Sequence, residues 1–265
     1  MIATRSLRCA AMMLVTVGCL RVARVAESAP ANEFDAAIER GDESYARGQL
    51  KEALVAYQAA QALSATQYRA LCGLARVESE LGEGAQGEER RRMIASAVEH
   101  ARAAVKAAPE EAQGHVWLAV ALRQQTEMEG PKTRAALWRE IRSELDRAIG
   151  LDAGSAQAYL ERGRWNARLS NRGLWERTVS RVMFAKVPTG ASMDNAVRDL
   201  EKAVELSPGS IEARTELART YLELKRDADA RRELERALGI PAQRPRDPGL
   251  QAEAREMLEK LTKRG

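Results

Sequence analysis

Aromatic residues are scarce in this 265-residue chain, at 4%, with two Phe and four Trp among them. Runs of Val, Ile, Tyr and Thr at strand spacing are nearly absent, which argues against a sheet-built core. Histidine occurs only at positions 100 and 115. His100 and His115 fall on separate helical stretches flanked by Ala and Val, with no Cys or carboxylate at ligand spacing, so neither reads as a metal ligand. Cys72 has no neighbouring His to act as a base and reads as a small apolar side chain. No Gly-rich phosphate loop is present. Neither sign of charge dominates, because 42 Lys and Arg face 38 Asp and Glu for a net +4. A nucleic-acid binder concentrates such a surplus on one face with aromatics between the cations. The nearest concentration, Arg90-Arg91-Arg92, follows Glu88 and Glu89 and reads as a solvated helix face. These absences predict no catalytic residue, no metal, no cofactor and no nucleic-acid partner.

Long apolar runs are also missing after the first twenty residues. There, Arg5 and Arg8 precede a stretch from Cys9 to Leu20 interrupted only by Thr16 and Gly18, and Arg21 and Arg24 follow it. The stretch is short of the roughly 20 apolar residues that a spanning helix needs, and it fits a secretory signal over 1–19. Thr16-Val17-Gly18-Cys19 resembles the lipobox of bacterial lipoproteins, although Leu is usual where Thr16 stands, and makes Cys19 the candidate lipidation site. Ordinary cleavage near Ala29-Pro30-Ala31 and an uncleaved anchor are the alternatives. With lipidation, Cys9 leaves with the signal and only Cys72 stays free, so no internal disulfide forms. The formal charge then falls from +4 to +2 with the loss of Arg5 and Arg8.

What the chain has in abundance is Ala, Leu, Glu and Arg, with 30% of residues charged, the balance of amphipathic helices laced by opposite charges. A repeat shows in their arrangement. Five helical stretches carry an Ala anchor followed five residues later by Pro or Ala: Ala60, Ala104, Ala148, Ala203 and Ala237. Three and seven residues before each anchor lie Tyr57 and Ala53, Ala101 and Ala97, Leu145 and Ile141, Leu200 and Ala196, and Leu234 and Ala230. These offsets share one face of a helix, and a small anchor lets a neighbouring helix approach closely. Each stripe needs a partner helix in front, where Gly41, Ala75, Ala119, Gly163 and Ala218 supply a matching small position.

This pattern resembles the tetratricopeptide repeat over 34–242, after a linker at 20–33. The resemblance implies an all-α, right-handed helical solenoid of about five helix pairs. The anchors are spaced 44, 44, 55 and 34 apart, against a repeat of 34 residues. The excess predicts insertions between the paired helices near 83–93, 127–133 and 169–192. Pro241, Pro245, Pro248 and Gly249 then break the chain after the last unit, where a linker and closing helix occupy 243–265. A last helix with Ala254, Met257, Leu258 and Leu261 on one side would cover the apolar end that a solenoid exposes.

The second half is more specific. Gly163-Arg164-Trp165, Gly173-Leu174-Trp175-Glu176-Arg177, Phe184, Pro188 and the run from Ala203 to Gly209 resemble the regulator of microtubule dynamics family, which has bacterial members. Trp117-Leu118-Ala119-Val120 and the stretch 138–152 fit the same pattern. The resemblance implies a helical repeat protein with a Trp-bearing insertion and no catalysis. A lipobox-bearing chain would not meet a microtubule, so the fold is carried over and the partner is not.

Two candidate sites follow. Residues beside the small positions of the leading helices, and one turn on, put Arg76, Arg123, Arg164, Arg168 and Arg219 along the concave side. An Arg row can grip carboxylates of an acidic peptide or a chain terminus, or it can be exposed or paired internally with residues such as Asp42 and Glu80. Trp175, Phe184 and Pro188 form either an aromatic lip that anchors a partner or a tuck of the insertion against its own repeat. The expectation is a non-catalytic scaffold for a protein or peptide, exported and lipid-anchored on the periplasmic face of a bacterial membrane, or secreted if unlipidated. The alternative is a periplasmic lipoprotein that serves a solute transporter and holds a small organic acid.

Overall fold

The computed structural model describes residues 29–64, 67–170 and 190–263. Among the described residues it is built of helices alone, in sequential pairs. The pairs are α1 (Ala29–Ala46) with α2 (Leu50–Leu63), α3 (Tyr68–Gly84) with α4 (Gly87–Ala107), and α5 (Ala112–Gln125) with α6 (Pro131–Leu151). Then come α7 (Ala156–Ser170) with α8 (Met193–Leu206) and α9 (Ile211–Glu223) with α10 (Asp227–Gly239), and α11 (Asp247–Thr262) ends the chain. No helix among the described residues is long and apolar enough to cross a membrane.

The stripe found in the sequence is the seam of each pair. All five Ala anchors are fully buried, and so are the residues three and seven before them. The anchor has a second role, because its carbonyl closes the helix. Ala60, Ala104, Ala148 and Ala203 each accept the backbone N–H four residues on, at 2.8–3.1 Å, which satisfies one of the end carbonyls a helix leaves open. The four connections that follow (64–67, 108–111, 152–155 and 207–210) repeat one hydrogen bond from their last N–H to their first carbonyl. One rim of the solenoid is therefore uniform.

The other rim, where the helices of a pair join, carries the variation. In the first pair Gly48 adopts a left-handed φ of 74°, and the N–H groups of Gly48 and Gln49 bond to Tyr45 and Ser44 at 2.9 Å. This is the double closure that a left-handed residue permits. In the last pair Lys225 does the same at φ 59°, with Arg226 bonding to Tyr221 and Lys225 to Leu222. In the second and third pairs the excess residues are mostly helical instead of looped. Both α4 and α6 run 21 residues against 14 in α2. The insertions expected at 83–93 and 127–133 are thus mostly extra turns at the starts of α4 and α6, after short connections. Charged residues such as Glu88 and Glu89 suit a first turn. Most of the third excess, 171–189, lies outside the described residues.

Small residues on the leading helices let the pairs close. A β-carbon on Gly163 would lie 2.6 Å from Leu200 Cγ, and one on Gly41 2.5 Å from Tyr57 Cε1. Trp138 and Trp165 fill the centre, 1% exposed each, and Trp165 Nε1 donates to the Trp138 carbonyl at 2.9 Å.

At the end, α11 packs on α9 and α10 through Ala254, Met257 and Leu258 against Ala218, Leu234 and Leu238. It takes the place of the leading helix of a sixth pair. Pro248 belongs to its first turn, where the missing N–H costs nothing, so Pro248 and Gly249 start this helix and do not break the chain before it. At the other end α1 is helical from Ala29, so the expected linker over 20–33 is helical in its last residues.

Candidate functional site

The leading helices α1, α3, α5 and α7 contact one another in succession, and they turn a shared face inward. That face carries the residues that follow the small packing positions. Asp42, Arg76, Arg123 and Arg164 meet there, and their partners come from the neighbouring units. Asp42 Oδ1 accepts from Arg76 Nη2 at 3.1 Å and from the Tyr57 hydroxyl at 2.6 Å. The Arg76 guanidinium lies 3.8 Å from the centre of the Tyr45 ring, a cation–π distance. Arg123 bonds Glu161 at 3.1 Å and reaches Glu83 at 3.5 Å. Arg164 bonds Glu161 and Glu212 at 2.7 Å each and Glu216 at 3.0 Å.

A segment that the sequence reading treated as a chain break roofs this face. Arg244, Pro245 and Arg246 leave α10 and return across the concave side. Pro245 meets Gly48 so closely that a β-carbon there would fall 2.0 Å from Pro245 Cγ. Arg246 ties α9 to α3, with Glu212 at 3.1 Å and Glu83 at 3.8 Å. The result is a chamber of about 670 Å³ in place of an open groove, lined from Tyr45 and Leu50 at one end to Arg164 and Glu212 at the other.

The ion pairs set the electrostatics. Burial works to raise Glu212, but the Arg164 and Arg246 guanidiniums outweigh it and hold the carboxyl at about 2. Glu216 is likewise lowered against burial by Arg164 and Arg219. Arg164 is held protonated by Glu216, Glu161 and Glu212 despite its burial. Glu80 differs. Burial raises it above the usual carboxylate range, and a hydrogen bond from the Tyr45 hydroxyl opposes this without cancelling it.

Four residues that line the chamber each hold one buried polar atom without a hydrogen-bond partner, closed off from solvent: Arg76 Nε, Ser79 Oγ, Trp117 Nε1 and Gln124 Oε1. Buried polar groups are ordinarily paired. Gln124 is otherwise fixed, its amide nitrogen donating to the Ser79 carbonyl at 3.0 Å and to Glu83 at 3.1 Å.

The five arginines singled out in the sequence separate into two sets. Arg76, Arg123 and Arg164 line the chamber. Arg168 lies outside that lining, 3.2 Å from Glu127 and with its guanidinium 5.8 Å from the Trp138 ring centre. Arg219 pairs with Glu216 and with Glu253 of α11. Every one of the five has a carboxylate partner within the chain. Trp175, Phe184, Pro188 and Cys19 lie outside the described residues.

Sequence reasoning did not single out Trp117, Gln124 or Arg246 as site residues. Trp117 enters the sequence pattern only through its resemblance to the family, and nothing in the composition of the segment before α11 says which way it turns. Both histidines join helices. His100 Nδ1 is 2.7 Å from Glu78 and His115 Nδ1 is 2.6 Å from Glu144. No group of three metal-ligating side chains occurs among the described residues. The Cys72 thiol is pushed up to about 11 by burial, which Tyr68 only partly offsets, so it is a poor nucleophile.

Comparisons with known proteins agree with this architecture. The chain resembles a thermophilic TPR protein of Thermus thermophilus with a TM-score of 0.66, 22% identity and 85% and 99% of the two chains covered. It also resembles pilF of Pseudomonas aeruginosa, at a TM-score of 0.53, 17% identity and 88% and 90% coverage. At these identities the likeness establishes the tetratricopeptide fold. In sequence it is 32% identical to regulator of microtubule dynamics protein 3 of Xenopus laevis over 63% of this chain and 36% of that one. The rat protein 3 is 30% identical over 69% and 39%. The bovine protein 1 is 25% identical over 85% and 71%. The chain thus spans under two fifths of the protein 3 relatives. The family model for regulator of microtubule dynamics protein 1-3 matches residues 37–262, and the chain belongs to that family.

Proposed function

We propose that this protein is a non-catalytic scaffold that takes a short segment of a partner protein into the chamber under the 244–246 strap. The observation that carries this reading is the chamber itself, about 670 Å³ between the leading helices and the strap. A segment in extended form can enter a space of that size, which a folded partner surface could not reach. A photoreactive residue placed at Val120 inside the chamber should cross-link a peptide of the partner, while the same residue at the exposed Val55 should not. Equal cross-linking from both positions would count against the chamber.

The partner need not be acidic. Arg76, Arg123 and Arg164 are each already bonded to internal carboxylates, so an incoming carboxylate must displace one of them. The same fact weighs against the second reading, a transporter accessory that holds a small organic acid, although 670 Å³ lies within the range of small-ligand pockets. Titration with a series of organic acids, followed by the shift in melting temperature, separates the two readings.

Export and lipid anchoring at the periplasmic face complete the proposal. They rest on the basic and apolar pattern of the first twenty residues and on Thr16-Val17-Gly18-Cys19. Metabolic labelling with palmitate should be abolished by Cys19→Ser. Unchanged labelling would remove the anchor from the proposal. The microtubule partners implied by the relatives' names are not carried over.

A further inference from the structure

The charges around the chamber balance almost completely. Arg76 is neutralised by Asp42, Arg123 by Glu83 and Glu161, Arg164 by Glu161, Glu212 and Glu216, and Arg246 by Glu83 and Glu212. Arg244 turns to Asp247. Two lining carboxylates have no ion pair among the described residues: Asp152, which is exposed and accepts from the Gly154 N–H at 2.8 Å, and Glu80, which is half-buried. Glu80 accepts a hydrogen bond from the neutral Tyr45 hydroxyl, and no cation among the described residues lies within ion-pair distance of it. Arg76, one turn before it on α3, is drawn away to Asp42 and the Tyr57 hydroxyl. Arg246 on the strap prefers Glu212 and Glu83.

A carboxylate half-withdrawn from water is costly to the fold without a cation in contact, and the nearby Arg246 and Arg76 charges only partly offset the burial of Glu80. Ser79 precedes it and Gln124 faces α3 from α5. Both side chains are 1% exposed, both line the same chamber, and each keeps an oxygen without a partner. Leu50, Val120 and Pro245 contribute apolar surface to that chamber, along which the methylene stem of a long cationic side chain can lie while its head reaches a carboxylate.

We propose that Glu80 receives the cationic head of a lysine or arginine in the partner's segment. The occupant is then a basic segment, the reverse of the acidic peptide that the Arg row suggested from sequence. This inference rests on the peptide-binding reading above and adds the charge of the residue that anchors the segment. The direction in which Glu80 titrates agrees with it, since a carboxylate raised by burial gains most from a cation brought to it.

The test uses the full chain and three pools of capped, fluorescently labelled pentapeptides, randomised at the flanking positions and fixed at the centre as Lys, norleucine or Glu. Fluorescence anisotropy reads the binding. The Lys pool should bind at least about tenfold more tightly than the norleucine pool, the scale of one charge-assisted contact, and the Glu pool more weakly than either. Glu80→Gln keeps an oxygen for Tyr45 and should erase the difference between Lys and norleucine. Tyr45→Phe keeps the carboxylate and should preserve the preference, which guards against a folding defect in the first variant. Equal binding of the three pools, or a preference that survives Glu80→Gln, overturns the assignment of Glu80 while leaving the chamber as a peptide site. No binding of any pool by a chain with native melting overturns both.

Discussion

Arg164 and Glu212 meet at 2.7 Å across two leading helices, and the pair is almost wholly withdrawn from solvent. Arg164 also holds Glu161 and Glu216, so a single guanidinium bridges three carboxylates contributed by α7 and α9, which Arg123, Arg219 and Arg246 help to balance. Removing one partner of such a cluster leaves uncompensated charge, which costs about 3–5 kcal/mol. Arg164→Met should lower the urea midpoint by a corresponding amount, and unchanged stability would mean that the carboxylates find other partners.

The same cluster predicts an acid response. Glu212 sits at about 2 in the folded chain against an ordinary 4.5. A carboxylate depressed by folding adds stability above its unfolded value and loses it as pH falls through the folded one. The window is therefore pH 4.5 down to 2, and the amount is roughly 3 kcal/mol. Denaturation midpoints for the parent should fall across that window more steeply than those of Glu212→Gln.

Two glycines of the same type should respond with opposite signs. A β-carbon at Gly163 meets Leu200 Cγ at 2.6 Å and the Ala196 carbonyl oxygen at 3.3 Å, whereas one at Gly150 meets nothing within 4 Å. Gly163→Ala should destabilise by about 1–3 kcal/mol through overpacking. Gly150→Ala, near the end of α6, should stabilise by up to about 1 kcal/mol. Thermal melts of the two variants, run together, decide this.

Gly48 carries a double constraint, since its φ is left-handed and its empty side lies against Pro245. Gly48→Ala should cost about 1–2 kcal/mol for the backbone alone and should also push the strap away. Adding Pro245→Gly, which removes both the Cγ at 2.0 Å and the Cβ at 2.7 Å, should recover the second part and not the first. A double variant no more stable than the single one would show that the strap does not bear on the turn.

Cys72 is 6% exposed and its thiol titrates near 11. Iodoacetamide at pH 8 should leave the peptide containing Cys72 unmodified in the native chain and label it once urea unfolds the solenoid. Labelling of the native chain at the rate of a free thiol would contradict the packing of α3 on α4.

The pairs of helices were legible in the sequence because their signal is local and repeated. An Ala that must be small, preceded at three and seven by apolar residues, can be read without knowing what it touches. Helix length was not legible in the same way. A gap in the spacing of anchors counts residues and says nothing of their conformation, so the polar stretch before Met93 read as an insertion although it continues a helix. At the site, Arg76, Arg123 and Arg164 could be found because each lies beside or one turn beyond a small packing position. Their carboxylate partners sit about one unit away, and naming them requires the stacking of one unit on the next. Glu80 as an unpaired carboxylate and Arg246 as a strap could not be read at all. Both depend on how far the solenoid curves before its end returns to its beginning.

Repeat arrays ordinarily fray from their ends, because a terminal unit has one neighbour where an inner unit has two. Here Pro245 gives the first unit a second neighbour drawn from the last. Fraying at one terminus must therefore part a contact made by the other, and the two termini lose their order together. Amide hydrogen exchange in α1 and α11 should accordingly speed up in step under mild denaturant, as in a closed hoop whose two ends share a single latch.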